Sequence, residues 1–245
     1  MMEVRELMDA LGPAASAEQA AALLEHPQTE QAHVLAVLRK RDLPSTVIEA
    51  IARDERWNSR HTIKTAIVNH TKTPKTLALR LVNQLFWKEL LKVANNFRLP
   101  MPIRSAAEKY LSDRLPELEL GERIALARTA TARLLPGLIR DGNARVVAAL
   151  LNNPRLREVQ VLQIVEAPGV TPEILRTVAD SERWASRPAI RTAVIKNKRT
   201  PVHTALRALA ALPPWAVAKL VAKNELPPVI RLGAERILSR SGAIR

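Results

Sequence analysis

Eight basic residues of this chain recur in two sets of four: Arg56, Arg60, Lys64 and Lys72, then Arg183, Arg187, Arg191 and Arg199. The chemistry open to them is the neutralisation of anions. In each set the first three stand at i, i+4 and i+8, the spacing of a ridge along one helix edge. Two such ridges make a periodic cationic track. A phosphodiester backbone is a periodic anionic partner, and neutralising it needs Lys and Arg but no base contacts. An acidic protein surface fits the same charge, with nucleic acid narrowly preferred. A plainer role stands beside these. Arg60 and Lys64 flank the Ile63/Ile67 stripe, where long stems cover apolar surface, and Arg104 and Arg231 suit packing between repeats.

Bond-making chemistry has much less support. The five histidines, His26, His33, His61, His70 and His203, form no H-E-x-x-H and no cluster with metal-ligand spacing. There is no P-loop, G-x-G-x-x-G or G-x-S-x-G, and 7 Gly leave few loops to cradle a phosphate. The absence of Cys removes thiol nucleophiles, thiolate metal sites and disulfides. Asp54, Asp113 and Glu89 are carboxylates that do not recur, and each reads as a solvated surface group. The expectation is a non-enzymatic protein with no cofactor and no metal.

The elements that position the basic residues follow from an internal repeat. At an offset of 127 residues, 51–111 matches 178–238 at 23 of 61 positions without a gap. Glu55-Arg56-Trp57-Asn58-Ser59-Arg60 lies over Glu182-Arg183-Trp184-Ala185-Ser186-Arg187. The expected organisation is an N-terminal cap (1–16), a first copy (17–116), a helical connector (117–143) and a second copy with a C-terminal cap (144–245). Of 245 residues, 38 are Lys or Arg and 24 Asp or Glu, a net charge of +14. The first copy has 16 basic and 10 acidic residues and the second, to 243, has 16 and 7, so the excess belongs to the repeats. Charge on a rigid surface makes a shaped footprint rather than a tether.

Within each copy, apolar residues recur at three- and four-residue spacing, as in Ile63, Ala66, Ile67 and His70, then Ala78, Leu81, Val82 and Leu85. No strand alternation interrupts them. Thr73-Pro74, Thr171-Pro172 and Thr200-Pro201 are expected to place a hydroxyl at an N-cap and proline at the first helical position, and Thr46 with Glu49 has capping-box spacing. Helices this short are marginal alone, so stacked helical hairpins are expected. Hydrophobic residues at 47% place the chain outside the disordered class. No apolar run approaches the roughly 20 residues that span a bilayer, and Met1-Met2-Glu3-Val4-Arg5-Glu6 lacks the build of a secretory signal. A cytoplasmic protein without a membrane partner is the expectation.

Ile103-Arg104-Ser105-Ala106-Ala107 with Leu111, and Ile230-Arg231-Leu232-Gly233-Ala234 with Leu238, resemble the V-R-x-x-A-x-x-x-L second helix of HEAT repeats. The turns Asn69-His70-Thr71-Lys72-Thr73-Pro74, Lys196-Asn197-Lys198-Arg199-Thr200-Pro201 and Leu151-Asn152-Asn153-Pro154 are similar to those of leucine-rich-repeat variants. Both resemblances imply an all-α fold, a right-handed α-solenoid of short HEAT-like repeats in two tandem copies. One departure stands out. Leu99-Pro100 and Leu226-Pro227 replace the Asp that often precedes the V-R pair, which puts the usual Asp–Arg ladder between repeats in question. HEAT-like alkylpurine DNA glycosylases are also similar in size and charge, and carry a catalytic Asp among tryptophans. Here Trp57 and Trp215 have no neighbouring carboxylate, while Trp87-Lys88-Glu89 does, so glycosylase activity is a minority alternative. Trp57 and Trp184 read as core, and Trp87 and Trp215 as fillers of one equivalent gap. With 3% aromatics, contact with backbone or duplex is favoured over base stacking.

Overall fold

The computed structural model describes residues 3–12 and 15–240, and all of its regular structure is helical, with nineteen α-helices and no strand among the described residues. Parts of both expected caps, 1–2, 13–14 and 241–245, lie outside the described residues. The chain divides into two compact units, Met1–Pro116 and Glu117–Arg245. The 117–143 stretch belongs to the second unit, where its long helix packs on the first helix of the repeat.

The first unit contains α1 (Val4–Ala10), α2 (Ala17–Glu25), α3 (Gln31–Leu38), α4 (Ser45–Arg53), α5 (Glu55–Asn58), α6 (His61–Asn69), α7 (Lys75–Val82), α8 (Trp87–Asn95) and α9 (Met101–Arg114). The second contains α10 (Leu120–Thr129), α11 (Leu135–Ile139), α12 (Ala144–Leu151), α13 (Glu158–Glu166), α14 (Pro172–Ala179), α15 (Glu182–Ala185), α16 (Pro188–Lys196), α17 (Val202–Ala210), α18 (Pro214–Ala222) and α19 (Pro228–Arg240). Adding 127 to the bounds of α2 through α9 gives those of α12 through α19 to within one residue. The sequence repeat is therefore a repeat of helices.

In each unit the helices form two layers, with α2 on α4 and α7 on α9 in one and α3 on α6 in the other; α12 on α14, α17 on α19 and α13 on α16 repeat this. The apolar stripes read from the sequence face the interior. Ile63 and Ile67, Ala78, Leu81 and Val82, and Ile103, Ala107 and Leu111 are all buried. Each Leu, Ile or Val so buried contributes about 1.5–3 kcal/mol.

Short helices leave many terminal carbonyls unpaired, and one device closes them repeatedly. In the turns beginning at His26, His70, Asn96, Asn153 and Asn197, the side chain accepts from the N–H two residues on, at 2.8–3.3 Å. The other end of four of these side chains reaches back to the end of an earlier helix or the turn after it. His70 Nε2 meets the Lys40 carbonyl at 2.9 Å, and Asn197 donates to the Val165 carbonyl at 2.7 Å. Asn96 donates to Asn69 Oδ1 at 3.1 Å, and Asn153 to the carbonyls of Ala127 and Ala130 at 2.8 and 3.1 Å. This Asn/His ladder ties successive helix ends together within each unit. Arg104 bonds to the Leu99 carbonyl, and Arg231 to the Val221 carbonyl and to Asn224.

Three expected caps are corrected. Thr171 caps α14 by accepting from Ile174 N, with Pro172 at the first helical position, as its sequence suggests. Thr73 and Thr200 instead donate backward, to the carbonyls of Ile67 and Val194 at 2.5 and 2.6 Å, while Pro74 and Pro201 themselves stand at the N-caps. Those hydroxyls add a donor at the end of the previous helix, where the Ile67 carbonyl also accepts from the His70 N–H. Thr46 is inside α4, whose N-cap is Pro44, and Glu49 pairs with Arg53.

Candidate functional site

Arg56 lies on α5, whereas Lys64 lies on α6 and Arg60 is the extended N-cap residue between them. Arg183, Arg187 and Arg191 are divided in the same way between α15 and α16. The single-helix ridge is therefore corrected: the helix breaks after Asn58 and after Ala185, because Arg60 and Arg187 take extended backbone. Lys72 and Arg199 stand in the turns beyond the far ends of α6 and α16, about two and a half turns from Arg60 and Arg187. The structure brings Arg60 and Lys64 to one end of α6 and leaves Lys72 at the other.

Their partners divide the eight by electrostatics. Arg60 donates to Gln31 Oε1 at 3.1 Å and Lys64 to Gln84 Oε1 at 2.7 Å. Arg183 donates to the Asn153 and Leu156 carbonyls, and Arg191 to those of Ala185 and Ala211. Arg199 donates to the Val170 carbonyl at 3.1 Å. Neutral acceptors fix these heads in place but cancel none of their charge. Arg56 is different. It holds Asp54 at 2.8 Å as well as the Leu24 carbonyl, and this hydrogen bond, with the attendant charge attraction, lowers the Asp54 carboxyl below its ordinary value and raises the guanidinium. Arg187 faces Glu158 at 3.9 Å. Lys72 is exposed and alone of the eight has no side-chain partner among the described residues.

The tryptophans split. Trp57 and Trp184 are buried, at 5% and 3% exposure, each with its preceding Arg over the ring. Trp184 Nε1 donates to the Leu151 carbonyl at 2.8 Å; in the first unit Arg56 takes the equivalent Leu24 carbonyl, and Trp57 Nε1 is buried without a partner. Trp215 fills no gap. It is 71% exposed at the start of α18, which corrects its reading as a filler and places an aromatic ring among cations that sequence reasoning set aside.

The carboxylate beside Trp87 is engaged elsewhere, since Glu89 accepts from the Phe86 N–H at 2.8 Å as part of the start of α8. His70 is a buried turn residue of the ladder. Among the described residues no three His, Asp or Glu side chains converge as metal ligands, and no helix is long and apolar enough to cross a membrane. Compared with protein families, curated proteins and solved structures, the chain gives no match.

Proposed function

We propose that the protein is a non-enzymatic, cytoplasmic scaffold, a right-handed α-solenoid of short HEAT-like repeats in two tandem copies, that binds nucleic acid with low sequence specificity. The observation that carries this reading is the set of cations fixed on neutral acceptors. Arg60, Lys64, Arg183, Arg191 and Arg199 are oriented by amide and carbonyl oxygens and keep their full charge. A fixed, uncompensated cation loses little side-chain freedom when it meets a phosphate and releases a counterion when it does. Contacts of this kind read the backbone, not the bases.

Binding should therefore weaken steeply with salt. Arg60→Gln together with Lys64→Gln should flatten the slope of log affinity against log salt by about two, one for each phosphate contact removed. Fluorescence anisotropy of a labelled oligonucleotide over a salt series measures it. Salt-tolerant capture of an acidic protein, with no nucleic-acid binding at low salt, would replace this reading with the protein-scaffold one.

A further inference from the structure

The two units share a helix plan but differ sharply at one place, between the sixth and eighth helices of the first unit and their counterparts in the second. In the second unit, α16 and α18 flank a groove of about 310 Å³, at the lower end of the range of small-ligand sites. Trp215, Lys219 and Lys223 follow one another at four-residue intervals along one wall, and Lys196 and Arg191 project from the other. The floor is apolar, formed by Leu212 and Leu220 of the unit's core. Glu225 is the one carboxylate in the lining, and it is already taken by Lys196 at 2.7 Å. Its charge also attracts Lys219 and Lys223, so four cations, Arg191, Lys196, Lys219 and Lys223, share one carboxylate and the lining keeps a positive excess. Arg191 is also held rigidly by the Ala185 and Ala211 carbonyls. Pro213 and Pro214 fix the backbone that presents the Trp215 ring.

In the first unit the same place is bridged. His61 stacks on Phe86 with ring centroids 3.9 Å apart, joining the starts of α6 and α8, and Asn96 donates to Asn69 at their far ends. The second unit has Pro188 and Pro213 in place of the stacked pair, and Lys196 and Lys223 in place of the hydrogen-bonded one. The Lys196–Glu225 ion pair takes over the second bridge, but nothing replaces the ring stack, and the exchange adds an exposed tryptophan and a positive excess that suit a ligand.

We infer that this groove binds single-stranded nucleic acid, with an unpaired base stacked on Trp215 and the neighbouring phosphates on Arg191, Lys219 and Lys223; this rests on the nucleic-acid reading above. The ring supplies a stacking platform for any base and the cations follow the backbone, a combination that selects single strands without selecting sequence. A duplex keeps its bases paired and leaves the ring unused.

The test is titration of the whole protein with oligothymidylate, read by tryptophan fluorescence and by anisotropy, beside a duplex of equal length. Oligothymidylate should quench the exposed Trp215. Trp215→Ala should weaken single-strand binding about tenfold, Trp215→Phe should restore most of it, and duplex binding should not change. Lys219→Ala with Lys223→Ala should flatten the salt slope by about two. Folding is not at stake, because the ring is solvent-exposed and the first unit carries Lys88 at this position. Wild-type affinity in Trp215→Ala would overturn the base-stacking site and leave the cationic scaffold standing. No binding of either nucleic acid by the wild type would overturn both.

Discussion

Asn153→Ala tests whether the Asn/His ladder holds the helix ends of a unit together. Asn153 is fully buried at the end of α12, where its amide donates to the Ala127 and Ala130 carbonyls and accepts from the Arg155 N–H. Both carbonyls lie at the C-terminal end of α10, where no intrahelical donor remains. Alanine leaves two acceptors and one donor without partners. At about 1–1.5 kcal/mol for each buried carbonyl, and less for the partly accessible N–H, the loss is about 3 kcal/mol. With a urea dependence of roughly 2 kcal/mol per molar, the midpoint for the second unit should fall by about 1.5 M. Circular dichroism and tryptophan fluorescence in urea measure it. Two further variants separate hydrogen bonding from lost volume. Asn153→Asp turns the donor into a carboxylate facing two carbonyls and should be worse than alanine at neutral pH. Asn153→His should recover about half the loss, because His70 makes the same pair of contacts with Nδ1 and Nε2. A midpoint shift below about 0.3 M for alanine, or an aspartate no worse than alanine, refutes the ladder.

Two other outcomes follow from differences in partners. Trp184→Phe should destabilise its unit by about 1 kcal/mol more than Trp57→Phe destabilises the other, because only Trp184 loses an indole hydrogen bond; urea midpoints of the two variants give the difference. The Asp54 carboxyl is held below its ordinary value by Arg56, so its stabilising contribution is complete above the unfolded value near 3.8 and lost as pH falls through the lower folded one. Asp54→Asn keeps the cap on Arg56 N but not the charge. It should lower the melting temperature at about pH 7 and reduce the drop seen between about pH 5 and pH 2, whereas an unchanged acid slope would remove the ion pair from the account.

The helix plan was legible because it is written twice. The 127-residue offset that aligns Trp57 with Trp184 also aligns α5 with α15 and α8 with α18, and shared punctuation gives boundaries that one copy alone leaves vague. The helix break before Arg60 was readable only in the second copy. There Pro188 disfavours a helical Arg187, while Ser59-Arg60-His61 carries no such mark. The backward bonds of Thr73 and Thr200 could not be read, because Thr-Pro is equally compatible with capping the next helix or closing the last one. Which carbonyl lies nearest the hydroxyl decides that, and distance is a property of the fold.

The basic residues show why recurrence is an ambiguous guide to a site. A side chain kept in both copies is kept by whatever the copies share, and what they share first is packing. Arg60 and Arg187 meet the equivalent positions Gln31 and Glu158, and Lys64 and Arg191 both reach the turn after α7 or α17, at Gln84 and Ala211. These contacts explain the recurrence without any ligand. They say nothing against one, since most leave the charge uncompensated. A ligand site carried by one copy must instead be found where the copies differ in a direction that stability alone does not favour. Surface exchanges such as Thr76 to His203 leave the scaffold as it was. Exchanging a stacked His61–Phe86 pair for two prolines, a neutral asparagine pair for the Lys196–Glu225 ion pair with Lys223 beside it, and Lys88 for an exposed Trp215 does not. That difference concentrates positive charge around an exposed ring, and an anion with an aromatic face is what offsets both.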